Sequence, residues 1–225
     1  MCNRYGTPRP EDIASTFNVP LLTAPYAPVL GPRQPGPFVR PGRVDIGQWG
    51  IIPWFSNTRS PLAKDGRPLM TNNCRSETMA TAPTFKGVWA KGQRCLVPAL
   101  TFDEPYWGTG KNIWWRFARK DGAPWAIAGL WADWTDPETG EIVPSYTMVT
   151  MNADAHPLLN QMHRPDLKRA PDKQDKRAVV PLEPALWEQW LTGSNDEAMS
   201  ALQLPAIELF SHGPADPKVT QALVV

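Results

Sequence analysis

Cys2 directly follows the initiator methionine, so loss of one residue leaves a first residue carrying a free α-amine beside its own thiol. An aldehyde meets such a 1,2-aminothiol by forming an imine at the amine, after which the sulfur closes a five-membered thiazolidine on the same carbon. The amine can instead serve as general base for its own side chain, the arrangement of N-terminal nucleophile hydrolases. Both chemistries run near neutrality, because an α-amine titrates at about 7.7–8.0 and a free thiol at about 8.5, while a lysine stays protonated.

Three further stretches gather acid–base and hydrogen-bonding groups. Thr71-Asn72-Asn73-Cys74-Arg75-Ser76-Glu77-Thr78 packs amide, guanidinium and carboxylate groups between apolar segments, a pattern that fits a site or an exposed turn with a helix cap at Ser76 or Thr78. Arg94-Cys95-Leu96-Val97-Pro98-Ala99 leads into Phe102-Asp103-Glu104-Pro105-Tyr106-Trp107, where a strand delivers a carboxylate beside aromatic rings. A carboxyl in apolar surroundings has a raised pKa and can exchange a proton near neutrality, while one at a solvated strand end does not. Asn152-Ala153-Asp154-Ala155-His156-Pro157, continuing to Gln161-Met162-His163-Arg164-Pro165, holds two of the three histidines. One of that pair is expected to shuttle protons with the N-terminal amine and Glu104. No CxxC or HxxxH spacing joins Cys74, Cys95, His156 and His163, so no metal site is expected.

The elements that must position these groups are short. In 225 residues there are 26 prolines, too many for long helices, and 11 tryptophans. Pro10-Glu11-Asp12 opens a short helix, with proline at the start, acids at the positive end of the dipole, and Ile13 and Phe17 one turn apart. Residues 18–42, dense in proline and glycine, read as an ordered but irregular crossing segment. Strands are expected at 43–52, 94–102, 112–119, 125–133, 143–151, 177–181 and 207–211, with hairpin-like turns at Lys120-Asp121-Gly122 and Glu138-Thr139-Gly140. Pro184 opens a helix carrying Leu186, Trp187 and Trp190 that ends at Gly193, and a second helix runs from Asn195 or Asp196 to about Gln203. The expected fold is α+β, a single domain over 1–225 with a curved, largely antiparallel, barrel-like sheet and peripheral short helices.

Composition narrows the function classes. Three cysteines, an odd number, fit a reducing compartment better than a disulfide framework. Neither a signal peptide nor a run of about 20 apolar residues is evident, so no membrane span is expected. A net charge of +1 lacks the strongly basic signature of a protein that coats nucleic acid, so any such contact must be local. One candidate is the segment from His163 to Arg177, in which Arg164, Lys168, Arg169, Lys173, Lys176 and Arg177 stand against Asp166, Asp172 and Asp175. It reads equally as a solvated loop of mixed charge.

Together these stretches resemble the SOS response-associated peptidase (SRAP) family, whose members shield abasic sites in single-stranded DNA. The resemblance covers nearly the whole chain. It rests on Cys2-Asn3-Arg4-Tyr5, Trp49-Gly50-Ile51-Ile52-Pro53-Trp54, Asn73-Cys74-Arg75-Ser76-Glu77-Thr78, Arg94-Cys95-Leu96-Val97-Pro98 with Glu104, His163, and Arg177-Ala178-Val179-Val180-Pro181-Leu182. It implies that Met1 is removed and that Cys2 forms a thiazolidine with the ring-opened aldehyde of an abasic deoxyribose. Asn73 then holds the N-terminal residue or its adduct, and Glu104 and His163 handle protons during ring opening, imine formation and reversal. Arg4 and Arg75 contact phosphates, and Trp54 and Trp107 support neighbouring bases by stacking. The resemblance further implies a cytoplasmic, nucleoid-associated monomer of the DNA-damage response. It would need no cofactor; its peptidase label reflects removal of its own Met1, and an abasic-site lyase-like activity accompanies the crosslink.

Two other readings stay open on the residues alone. One is an N-terminal-nucleophile cysteine peptidase or amidohydrolase acting on other substrates, with the amine or His163 as base. The other is a plain single-strand-binding module in which Cys2 is incidental. The chain also departs from the family's usual pattern. Asn3 stands where glycine is usual, and Phe38-Val39-Arg40-Pro41-Gly42 replaces an asparagine-containing motif. Pro105 rather than tryptophan follows Glu104, and the charged insertion after His163 is longer than in many relatives.

Overall fold

A computed structural model of the chain describes residues 2–63 and 65–216; Met1, whose removal the resemblance implies, lies outside them. The described chain opens on strand β1 (Tyr5–Gly6) and helix α1 (Pro10–Phe17), then forms β2 (Val29–Leu30), β3 (Pro35–Arg40), β4 (Arg43–Trp49) and β5 (Asn73–Arg75). Helix α2 (Lys86–Ala90) precedes β6 (Arg94–Ala99), β7 (Thr101–Tyr106), β8 (Ile113–Arg119), β9 (Trp125–Thr135) and β10 (Ile142–Asn152). The remaining elements are β11 (Arg177–Val179), β12 (Pro181–Leu182), α3 (Trp187–Thr192), α4 (Asn195–Ala201) and β13 (Phe210–Pro214).

Five strands close on themselves. β4 pairs with β3, β3 with β6, β6 with β9 and β9 with β10, all antiparallel, and a parallel pairing of β10 with β4 completes the ring. A second sheet, in the order β13-β8-β7-β1-β2, is antiparallel throughout. The expected α+β class with a largely antiparallel, barrel-like sheet is what the chain adopts. The β6 and β9 side chains split by parity, as a two-residue period demands. Cys95, Val97, Trp125 and Ile127 join one core cluster with Phe38, Trp49, Tyr146 and Met148. Leu96, Ala126, Ala128 and Leu130 join a second, with Trp190 of α3 and Ile13 of α1. Both faces of these strands are therefore buried, and no helix among the described residues is long and apolar enough to cross a membrane.

Closure brings β9 and β10 very near at Gly129. A Cβ added there would lie 2.6 Å from the Thr147 carbonyl oxygen and 2.9 Å from the Cys95 sulfur. Gly129→Ala is expected to destabilise the fold by about 1–3 kcal/mol through overpacking. A urea-unfolding midpoint equal to wild type would show that the seam has room.

Several boundaries differ from expectation. Residues 18–42 are not simply irregular, because they supply β2 and the barrel strand β3. Prolines fit within β3 because its even-numbered residues bond β4, beginning with the Trp49 N–H to Gln34 carbonyl at 2.9 Å. Pro35 and Pro37 turn their missing donors toward β6, which pairs with β3 only at Val39 and Leu96. The expected strand 94–102 breaks at Leu100 into β6 in the barrel and β7 in the second sheet. The strand expected at 207–211 is a 3-10 turn over Ile207–Leu209 followed by β13. Gly193 ends α3 in extended backbone (φ −63°) rather than the left-handed cap, and a Cβ there would meet the Gln189 carbonyl at 2.5 Å.

Candidate active site

The start of the chain is laid along β7. Tyr5 faces Phe102 and Gly6 faces Thr101, and the Asp103 N–H continues the ladder to the Arg4 carbonyl at 3.0 Å. Cys2 is fully buried and its thiol donates to the Arg4 carbonyl at 3.4 Å. Its own carbonyl accepts from two amides, Asn73 Nδ2 at 2.7 Å and Asn72 Nδ2 at 3.0 Å. Those amides are themselves held in place. Asn73 begins β5, which pairs with β10, and the Asn72 carbonyl accepts from Trp49 Nε1 at 3.0 Å and from the Met148 N–H at 3.1 Å. Asn73 Oδ1, also buried, has no hydrogen-bond partner among the described residues, which leaves an acceptor beside Cys2.

Neighbouring residues of a strand face opposite ways, so the Asp103-Glu104 pair serves two surfaces. Asp103 binds Arg116 through two hydrogen bonds, at 2.8 and 2.9 Å, and lies 3.5 Å from Arg4 Nε. Glu104, 1% exposed, turns the other way toward His163, whose Nε2 is 3.2 Å from Glu104 Oε2. Residues 161–163 are strapped to the end of β7 by the Trp107 N–H to Gln161 carbonyl bond at 3.0 Å and the His163 N–H to Pro105 carbonyl bond at 2.6 Å. His163 adopts φ +60°, a conformation histidine tolerates better than most residues. Its Nε2 also meets the Arg177 carbonyl at 3.1 Å, and Lys176 Nζ donates to the His163 carbonyl at 2.5 Å. A carbonyl can only accept, so the bond to Arg177 places the ring proton on Nε2.

Burial sets the proton affinities. It pushes the Glu104 carboxyl up to about 7 and the His163 imidazole down to about 4. At neutral pH the imidazole is neutral, so the 3.2 Å approach of His163 Nε2 to Glu104 Oε2 is not an ion pair. Burial, and next the Glu104 carboxylate, hold the Cys2 thiol well above its ordinary range. The site thus offers a carboxyl poised to give or take a proton at neutrality, a neutral imidazole donor and a protonated thiol.

Of the residues singled out in the sequence, Cys2, Asn73, Glu104 and His163 come together, with Arg4 on the flank through Asp103. His156 instead serves structure: its Nδ1 accepts the Leu158 and Leu159 N–H groups at 3.2 and 3.1 Å, and its Nε2 bonds the Pro205 carbonyl at 2.9 Å. Arg75 pairs with Asp175 at 2.9 Å. Trp107 sits at the end of β7 beside 161–163. Trp54, 77% exposed and edge-on to Phe55, stands on a different groove, lined by Ile51, Val88 and Lys91. A groove of about 500 Å³ along the chain's start is lined by Asn3, Arg4, Leu30, Gln34 and Trp114. Sequence reasoning gave no site role to Asn72, Asp103 or Arg116, and read Lys176 only as part of the charged segment 163–177. The first two stood in plain doublets, Asn72-Asn73 and Asp103-Glu104, whereas Arg116 and Lys176 gain meaning only from strand register and loop return.

The SOS response associated peptidase (SRAP) family model matches residues 1–221. The chain belongs to the SRAP family. Among curated SRAP relatives it is 32% identical over 133 residues to the abasic site processing protein HMCES of Xenopus tropicalis, a match covering 52% of this chain and 38% of that protein. The Gallus gallus protein of the same name is 29% identical over 127 residues, covering 47% and 36%. The matched region thus spans well under half the length of these curated relatives. A solved structure from Bordetella bronchiseptica superposes with a TM-score of 0.83 at 32% identity, covering 96% of this chain and 100% of that one. One from Bacteroides thetaiotaomicron, at 18% identity and a TM-score of 0.76 over 98% and 94%, shares the SRAP fold.

Proposed function

We propose that the chain, once Met1 is removed, captures the ring-opened aldehyde of an abasic site in single-stranded DNA through the amine and thiol of Cys2. The observation that carries this reading is the double amide clasp on the Cys2 carbonyl within reach of a buried carboxyl whose pKa is about 7. The amine adds to the aldehyde carbon, and loss of one water gives the imine. The thiol sulfur then adds to that carbon while its proton passes to nitrogen, so the net change is loss of one water. Protonated Glu104 assists departure of the hydroxyl, and ionised Glu104 takes the thiol proton. The neutral His163 imidazole, 3.2 Å from Glu104 Oε2, is the second proton-carrying group of the site. Arg4 and Arg116, both held by Asp103, with Arg75, present charge for phosphates, while Trp54 and Trp107 offer stacking surfaces. The names of the HMCES relatives, abasic site processing proteins, support the choice of substrate. A hydrolase acting through Cys2 needs a ready thiolate, which the raised thiol pKa disfavours.

The experiment is incubation of processed protein with an oligonucleotide holding one abasic site, followed by a denaturing gel. Wild type should give a shifted band that survives denaturation. Cys2→Ala should give none, and acetylating the α-amine should abolish it too, because a thiol alone yields only a labile hemithioacetal. An undiminished band from either altered protein would sink the mechanism.

A further inference from the structure

The third histidine, His212, lies on β13, two strands from Glu104, and is linked to it through one indole. Glu104 is paired in register with Trp115 of β8, and Trp115 with Pro214 of β13. Directly opposed residues share a face with Cβ atoms about 4.5–5.5 Å apart, so the Trp115 side chain rises beside the Glu104 carboxyl. The same parity sets Phe102 and Tyr106 of β7 and Ile113 and Phe117 of β8 around that carboxyl. Trp115 is pinned on two sides. Its Nε1–H donates to His212 Nδ1 at 3.0 Å, and the Tyr106 ring leans on it with 4.6 Å between centres. An indole nitrogen only donates, so His212 accepts at an unprotonated Nδ1, and partial burial holds its imidazole below the ordinary range. His212 is in turn packed on Phe117, with 6.0 Å between ring centres. Trp115 is half-buried and packs on the core cluster that holds Cys2 and Phe102, whereas Glu104 is 1% exposed. The indole therefore stands at the boundary between solvent and the carboxyl.

We infer that Trp115 is a positioning residue of the site: pinned by His212 and Tyr106, its indole is the wall that keeps water from the Glu104 carboxyl. Exclusion of water disfavours the charged form of a carboxyl, so the wall helps to keep Glu104 able to hold a proton at neutrality. The titratable groups around Glu104 are the amine and thiol of Cys2 from the chain's start, the His163 ring from residues 161–163 and the Tyr106 phenol on β7 itself. Asp103 faces away between Arg4 and Arg116, and β13 brings His212 behind the indole. A change at Trp115 alters none of their charges, so the way Glu104 then titrates reads the wall itself. The inference deepens the proposed role of Glu104 in aldehyde capture and rests on it for its consequence, while the wall is a property of the folded chain.

The test is a pH titration of processed protein with isotope-labelled glutamate carboxyls, followed by carbon NMR, the Glu104 signal being identified by its loss in Glu104→Gln. Wild type should titrate near pH 7. Trp115→Ala should titrate at least about one pH unit lower as water reaches the carboxyl. Trp115→Phe keeps a ring but loses the bond to His212, and His212→Leu removes the acceptor, so each should fall part of the way. His212→Asn keeps an acceptor near the Nδ1 position and should titrate with wild type. The acid-assisted step of adduct formation at pH 7 should slow about fivefold in Trp115→Ala, because the protonated fraction drops from about a half to about a tenth. A wild-type midpoint in either Trp115→Ala or His212→Leu, each checked as folded by circular dichroism, would overturn the inference, and His212→Leu decides alone if the alanine variant does not fold. Because the titration uses no DNA, its failure strikes the wall alone, while a normal titration without a crosslink strikes the aldehyde capture alone.

Discussion

Glu104→Gln is expected to yield a protein that is more stable than wild type above neutral pH and much slower in the proposed adduct formation. The folded carboxyl titrates at about 7 against an ordinary value of 4.5, so between those values the folded chain holds a proton that the unfolded chain has released. Its contribution is fully present below 4.5 and is lost as pH rises through 7, amounting to about 3 kcal/mol. Glutamine has no charge to desolvate, so its gain should be absent at pH 4, grow through the window and level off by pH 8. His163 runs the other way. Its folded pKa of about 4 lies below the ordinary 6.5, so its contribution is present above 6.5 and lost as pH falls through 4. In wild type the two slopes oppose each other. Urea midpoints of the variant should therefore climb between pH 4 and 7 where wild type stays comparatively flat. Parallel curves would refute the raised carboxyl. Adduct formation at pH 7 should slow by roughly 10²–10⁴, the usual worth of a positioned acid–base group.

Removing both amides from the Cys2 carbonyl should cost more than the single changes suggest. After Asn73→Ala, Asn72 Nδ2 still reaches that oxygen at 3.0 Å, and after Asn72→Ala, Asn73 Nδ2 reaches it at 2.7 Å. Each single change is expected to cost about 1 kcal/mol, while the double change strands the carbonyl and adds a desolvation penalty of about 1–3 kcal/mol. Adduct formation should follow the same order, with the double variant losing positional control of the amine as well as stability. A strictly additive double-mutant cycle would mean that the two amides act independently and that no clasp exists.

How far the sequence revealed this arrangement depended on whether each signal was local. Helix α1 was legible because proline at its start, two acids and the Ile13–Phe17 spacing lie within one short window. Strands β8, β9 and β10 were legible from their runs of β-branched and aromatic residues. β3 was hidden because proline normally argues against a strand, and only the one-sided pairing with β4 makes Pro35 and Pro37 harmless. The chemical residues divide the same way. Cys2, Glu104 and His163 could be named from their types and surroundings. The choice between His156 and His163, by contrast, depended on which one the β7 strap would hold. Asp103 looked redundant beside Glu104 until the pleat gave it Arg116 as a partner. Arg177 was noticed as a charge, yet its carbonyl oxygen is what sets the imidazole tautomer.

The insertion after His163 has its two ends tied to each other through the imidazole–Arg177 carbonyl bond. Its length is therefore mechanically uncoupled from the reacting groups. Doubling such a loop costs only about 0.6 kcal/mol in closure entropy. Drift can lengthen, shorten or recharge the segment while the carboxyl and imidazole keep their separation. The same property makes it a splice point for engineering, where a foreign peptide could replace residues 165–174 with the carboxyl–imidazole geometry intact.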